Sequence, residues 1–134
     1  MKVISTKEER EQLIESLVNE ETNILPLDKK DCNYLKNAQT IIEYTFRTNL
    51  MGEGNRVAEL LKIFSETDLS AIKGFHHLCF IMRSSSTYEI SMDELCDILR
   101  VLTKGYDSEA SILWTVSYEN SLGCNLEFVM IASK

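Results

Sequence analysis

Proline occurs once in the 134 residues, histidine twice and glycine five times, and basic side chains (14) are outnumbered by acidic ones (21). The formal net charge of −7 and pI near 4.8 oppose the phosphate neutralisation on which nucleic-acid affinity depends, and no basic stripe with interleaved aromatics offsets it. DNA and RNA are therefore excluded as expected partners. Apolar runs such as Leu78 to Met82 fall far short of the ~20 residues that cross a bilayer, so no membrane span is expected. The four cysteines, Cys32, Cys79, Cys96 and Cys124, contain no CxxC pair, and Met1 is not followed by a basic-then-apolar leader. A reducing, cytoplasmic location is expected, with the cysteines acting as small buried hydrophobes. No repeat, low-complexity tract or linker divides the chain.

What is present is enough for one domain: 44% hydrophobic residues over a length typical of a single core. Ser5 to Glu9 offers two overlapping capping boxes, and Leu13, Ile14, Leu17 and Val18 continue as one stripe, which predicts an amphipathic helix. Pro26 lies in the segment 22–31, which ends that helix in a loop, and Cys32 to Asn37 has room for a helical turn. Thr40 to Thr48 alternates Ile42, Tyr44 and Phe46 with Glu43, Thr45 and Arg47, the pattern of a half-buried strand. Gly52 to Asn55 supplies a turn and an N-cap for a second helix carrying Val57, Leu60, Leu61 and Phe64 to about Ser65.

Phe75 to Met82 reads as a strand covered on both faces, and Arg83 to Tyr88 as a surface loop. Ser91 with Glu94 makes a further capping box, Leu95, Ile98, Leu99 and Leu102 form a third helical stripe, and Gly105 suits its C-terminal cap. Ser111 to Tyr118 and Cys124 to Ala132 are joined by a connection of hairpin length and are expected to pair antiparallel. The expected architecture is α+β: an N-terminal amphipathic helix, then β-α-β-α-β-β, with a mixed four-stranded sheet packed with helices. A helix and loop over 1–31 precede a sheet unit over 38–134 within the single domain 1–134.

No catalytic site is read from these residues. Gly52-Glu53-Gly54-Asn55 lacks the Walker lysine and the GxGxxG spacing, and Glu53 places negative charge where a phosphate would sit, so a plain turn is favoured. His76 and His77, adjacent on a strand, point to opposite faces; His77 with Cys79 supplies two metal ligands where zinc takes three or four. No metal or cofactor is expected. Asp28 and Asp31 can polarise a water or hold a cation, but helix capping is the favoured role.

From Ala71 to Ser133 the order and spacing of segments resemble the C-terminal domain of FtsZ, the bacterial cell-division GTPase of the tubulin superfamily. Ile72-Lys73-Gly74 before an apolar strand, Met92 to Thr103 as the next helix, and Asp107 to Trp114 resemble its KG segment, helix and Asp-x-x-Ala-x-Ile-Ile strand. Glu119-Asn120-Ser121-Leu122 and Phe128 to Ser133 are similar to its Asp-x-x-Leu turn and last strand. Upstream, Thr40 to Asn55 resembles the strand ending in Met-Gly-x-Gly, and Arg56 to Ile63 the helix that follows.

In that register Asp28 and Asp31 fall near the family's Asn-x-Asp-Phe-x-Asp synergy loop, which reaches the GTP of the next subunit, and the first helix resembles the central helix. Pro26 stands at the asparagine position, Lys29 at the phenylalanine position, Glu127 at a usual basic position, and Arg83 to Ser86 replace glycines. The GTP-binding half and the C-terminal tail of the family are not among these residues. The resemblance implies a non-catalytic interaction or regulatory module of cell division, binding an FtsZ-like or tubulin-like partner, with Asp28 and Asp31 facing the partner's nucleotide and Pro26, Lys29 and Lys30 forming a capping surface. The alternative is a small self-associating α+β domain that binds a metabolite between subunits. A complete enzyme ranks third.

Overall fold

The computed structural model describes residues 1–18, 29–51, 54–103 and 111–134. In chain order these hold strand β1 (Lys2–Ile4), helix α1 (Lys7–Val18), the one-turn helix α2 (Lys29–Cys32) with a 3-10 turn over Asn33–Asn37, strand β2 (Ile41–Arg47) and helix α3 (Arg56–Glu66). A 3-10 turn at Ser70–Ile72, strand β3 (His77–Ser84), helix α4 (Met92–Thr103), strand β4 (Ser111–Tyr118), a 3-10 turn at Asn120–Leu122 and strand β5 (Glu127–Ser133) follow.

Local chemistry sets the boundaries. Of the two boxes offered before α1, Thr6 and Glu9 form the one used: Glu9 N donates to Thr6 Oγ1 at 3.1 Å and Thr6 N to Glu9 Oε1 at 3.2 Å. Asn55 Oδ1 accepts from Val57 N and Ala58 N, each at 3.1 Å, and starts α3. Gly54 just before it has φ +118°, a backbone conformation closed to other residues. Gly52, Glu53 and Gly105 lie outside the described residues.

The described strands form one mixed sheet in the order β1-β2-β5-β3-β4. β5 is antiparallel to both β2 and β3, while β4 is parallel to β3. Even-numbered residues of the long strands meet α3 and α4: Tyr44, Phe46, Phe80, Met82, Phe128 and Met130 bury against Leu60, Leu95, Ile98 and Leu102. Phe128 anchors this layer, with ring centroids 5.9 Å from Phe46 and 5.3 Å from Phe80. Odd-numbered residues Ile41, Cys79, Ile81, Val129 and Ile131 bury against Ile14 and Leu17 of α1 and Cys32 and Leu35 of the next turns. The sheet is thus covered on both faces, as the unbroken apolar run of β3 implies.

The α+β class holds, but three expectations need correction. The sheet has five strands, because Lys2–Ile4 pairs with β2 (Ile4 opposite Ile41) and buries Ile4. The β4–β5 hairpin does not form: β5 crosses β3 and inserts between β2 and β3, which therefore run the same way without pairing. The reason lies in burial. β5 is buried along nearly its whole length and needs an interior lane, whereas the first residues of β4 are exposed and tolerate an edge. Finally, Arg83 and Ser84 belong to β3, and Ser84 and Ser85 are buried. Their hydroxyls satisfy the backbone there: Ile90 N donates to Ser84 Oγ, Tyr88 N to Ser85 Oγ, and Ser85 Oγ to Gly123 O.

Candidate functional site

The loop singled out in the sequence is described from α2 onward. Pro26 and Asp28 lie outside the described residues, and Lys29 is the first residue of α2. Lys30 and Asp31 follow it, both exposed, and this corrects the expectation of a loop up to 31: Asp31 sits inside the helical turn and is not its N-cap. Cys32 and Leu35, each 0% exposed, drive the segment into the odd-face core, so Lys30 and Asp31 are presented from a fixed platform. Arg10 of α1 fastens its far side, donating from Nη1 to Lys36 O at 3.3 Å and from Nη2 to Gln39 O at 3.4 Å. Beside this clamp Ser5, Lys7, Arg10, Glu11, Lys36 and Asn37 line a groove of about 580 Å³. In an acidic chain, this groove gathers cations.

His76 is exposed, and His77, half-buried, packs its ring 4.8 Å from that of Tyr34. Cys79, on the same face as His77, is fully buried; desolvation, then the neighbouring Cys32, pushes its thiol up to about 12. Burial, followed by Cys79 and Cys32, likewise raises the Tyr34 hydroxyl. The Cys79 thiol is therefore a protonated packing group at neutral pH, not a nucleophile. Among the described residues no three of His, Cys, Asp and Glu converge as a metal site. Cys96 departs from expectation: it is exposed on α4.

Two charged constructions were not legible in the sequence. Arg56, first residue of α3, donates Nε to Glu94 Oε2 and Nη2 to Glu94 Oε1, both at 2.8 Å, and also reaches the carbonyls of Tyr88 and Glu89. Arg56 lowers the Glu94 carboxyl, chiefly through those hydrogen bonds, and Ser91 N adds to the effect. With Leu50, Gly54, Asn55, Tyr88 and Cys124 the pair lines a cavity of about 310 Å³. The guanidinium is already occupied by protein acceptors, so the cavity is a joint between the α3 and α4 starts. The second construction is a row across three strands: Glu127 meets Arg47 at 3.1 Å and Arg83 at 2.8 Å. Both cross-strand neighbours of Glu127 are arginines, which explains an acid at that position.

A third cavity, about 380 Å³ and mainly apolar, opens where α3 and α4 end, between Phe64, Leu69, Ile72, Phe75, Val101 and Leu102. Lys73 and His76 also stand at its wall. No described helix is long and apolar enough to cross a membrane.

No family model matches the chain, and no curated protein matches it in sequence. Solved structures do. An empty FtsZ dimer from M. jannaschii is similar with a TM-score of 0.68 and 12% identity, over 89% of this chain and 34% of that one. A tryptophan-to-tyrosine mutant of FtsZ from M. jannaschii has a TM-score of 0.68 and 13% identity, over 92% and 38%. The chain thus has an FtsZ-like fold and spans about a third of those proteins, in keeping with a module like the C-terminal domain.

Proposed function

We propose that this chain is a non-catalytic interaction module that binds a tubulin-like partner end-on and modulates its assembly, using the surface around α2. One observation supports the reading: the chain has an FtsZ-like fold, and α2, pinned by Cys32 and Leu35, carries the exposed Lys30 and Asp31, the described end of the stretch whose sequence resembles the synergy loop. In an FtsZ filament the corresponding loop meets the next subunit's nucleotide. Here Pro26 and Lys29 replace the asparagine and phenylalanine of that motif. A lysine pair beside Asp31 suits docking against an acidic or phosphate-bearing end better than orienting a water.

Sedimentation of FtsZ from the same cell, with and without this chain, tests the proposal. The expected outcome is saturable co-sedimentation that falls roughly tenfold when Lys30→Glu and Asp31→Lys are combined in a variant whose thermal unfolding is checked against wild type. Absence of the chain from the pellet together with unaltered GTP turnover sinks the proposal.

A further inference from the structure

Sheet edges need management, and β4 shows little of it. Among the described residues it is an outer strand of the sheet, and Ser111 to Tyr118 contains no charged residue and no proline, the devices that ordinarily keep edges from pairing. Thr115, Val116 and Ser117 are buried, which confines the open stretch to Ser111–Trp114. There Ile112 and Trp114 stand on one face, each 37% exposed, with Leu113 half-buried on the other. The backbone of an outer strand offers hydrogen-bonding groups that only another extended segment satisfies in series.

The geometry points to a second copy of this chain as the occupant, paired edge to edge through Ser111–Trp114. Self-complementarity of the strip favours that choice, and its charge does not forbid it. Two chains of net charge −7 repel, and this uncharged strip lets two copies meet without opposing like charges. A two-fold axis makes identical strands antiparallel, and an axis through Leu113 sets Ile112 opposite the second copy's Trp114, twice over. Aliphatic–aromatic pairs of this kind stabilise antiparallel neighbours, and tryptophan is a preferred anchor of interfaces. The pairing joins two sheets side by side and leaves α2, on the odd-numbered face, open to a different partner. It is independent of the proposed function.

Sedimentation velocity over a concentration series, with emission from Trp114, the one tryptophan of the chain, reads the pairing directly. The expected result is a monomer–dimer equilibrium in which the emission shifts to shorter wavelength as dimer accumulates. Ile112→Lys and Trp114→Lys, both at partly exposed positions, each weaken the dimer roughly tenfold or more. Their thermal unfolding stays close to wild type, and Tyr88→Lys, in the loop whose Glu89 meets Tyr118 at the opposite end of β4, leaves the dimer intact. A wild-type chain that remains monomeric throughout, a dimer that survives Ile112→Lys, or a dimer with unshifted emission overturns the inference.

Discussion

Glu94 serves two elements at once: its carboxylate accepts from Ser91 N in the α4 capping box and from two nitrogens of Arg56 at the start of α3. Its depressed folded pKa means that the unfolded chain binds this proton more readily. The stabilisation is therefore present above the ordinary carboxylate range and is lost as pH falls through the folded value. Glu94→Gln is expected to cost about 1–3 kcal/mol in urea unfolding at pH 7, with the difference from wild type shrinking in acid. A pH-independent difference contradicts this account of Glu94. The cysteines separate just as sharply. Alkylation of the native chain followed by mass spectrometry is expected to label Cys96 first and to spare Cys32 and Cys79 until denaturant is added, since both are buried and the Cys79 thiol is raised to about 12. Early labelling of Cys79 contradicts the packing described for α2.

At the scale of elements, Phe128 on β5 is the side chain through which the even-face core is most exposed to test. Phe128→Ala is expected to cost about 3–5 kcal/mol by chemical denaturation, because it opens a cavity between Phe46 and Phe80. Asn55→Ala, which removes the α3 cap, is expected to cost about 1 kcal/mol. Elements whose signals are local were legible: the Thr6–Glu9 and Ser91–Glu94 boxes, the Asn55 cap, and the alternation of β2 all stand where periodicity and capping put them. Lane order was not legible. Loop length between Tyr118 and Glu127 is compatible with either a hairpin or a crossing of one strand, about 10 Å away. The choice is made by β5 needing cover on both faces. Three-residue β1 carries too short a pattern to announce itself, and pairs such as Arg56–Glu94 join helices whose relative placement depends on the whole fold. Of the candidate site, the loop was expected to run to Asp31, with capping as that residue's favoured role, whereas Lys30 and Asp31 lie inside α2; the anchoring of that turn by Cys32 and Leu35 emerged with the second core.

For the whole molecule, two surfaces carry the two proposals: the α2 platform is proposed to meet a tubulin-like partner, and the β4 edge another copy. The fold is FtsZ-like over about nine-tenths of the chain, while the chain spans about a third of FtsZ. In the proposal, this module engages a filament end through the surface around α2. Titrating the chain into FtsZ polymerising with GTP, and reading sedimented polymer and phosphate release together, tests that claim most directly. The account predicts that both fall at chain concentrations below that of FtsZ, and that the Lys30→Glu/Asp31→Lys double variant restores them. Polymer mass and phosphate release unchanged at excess chain would contradict it.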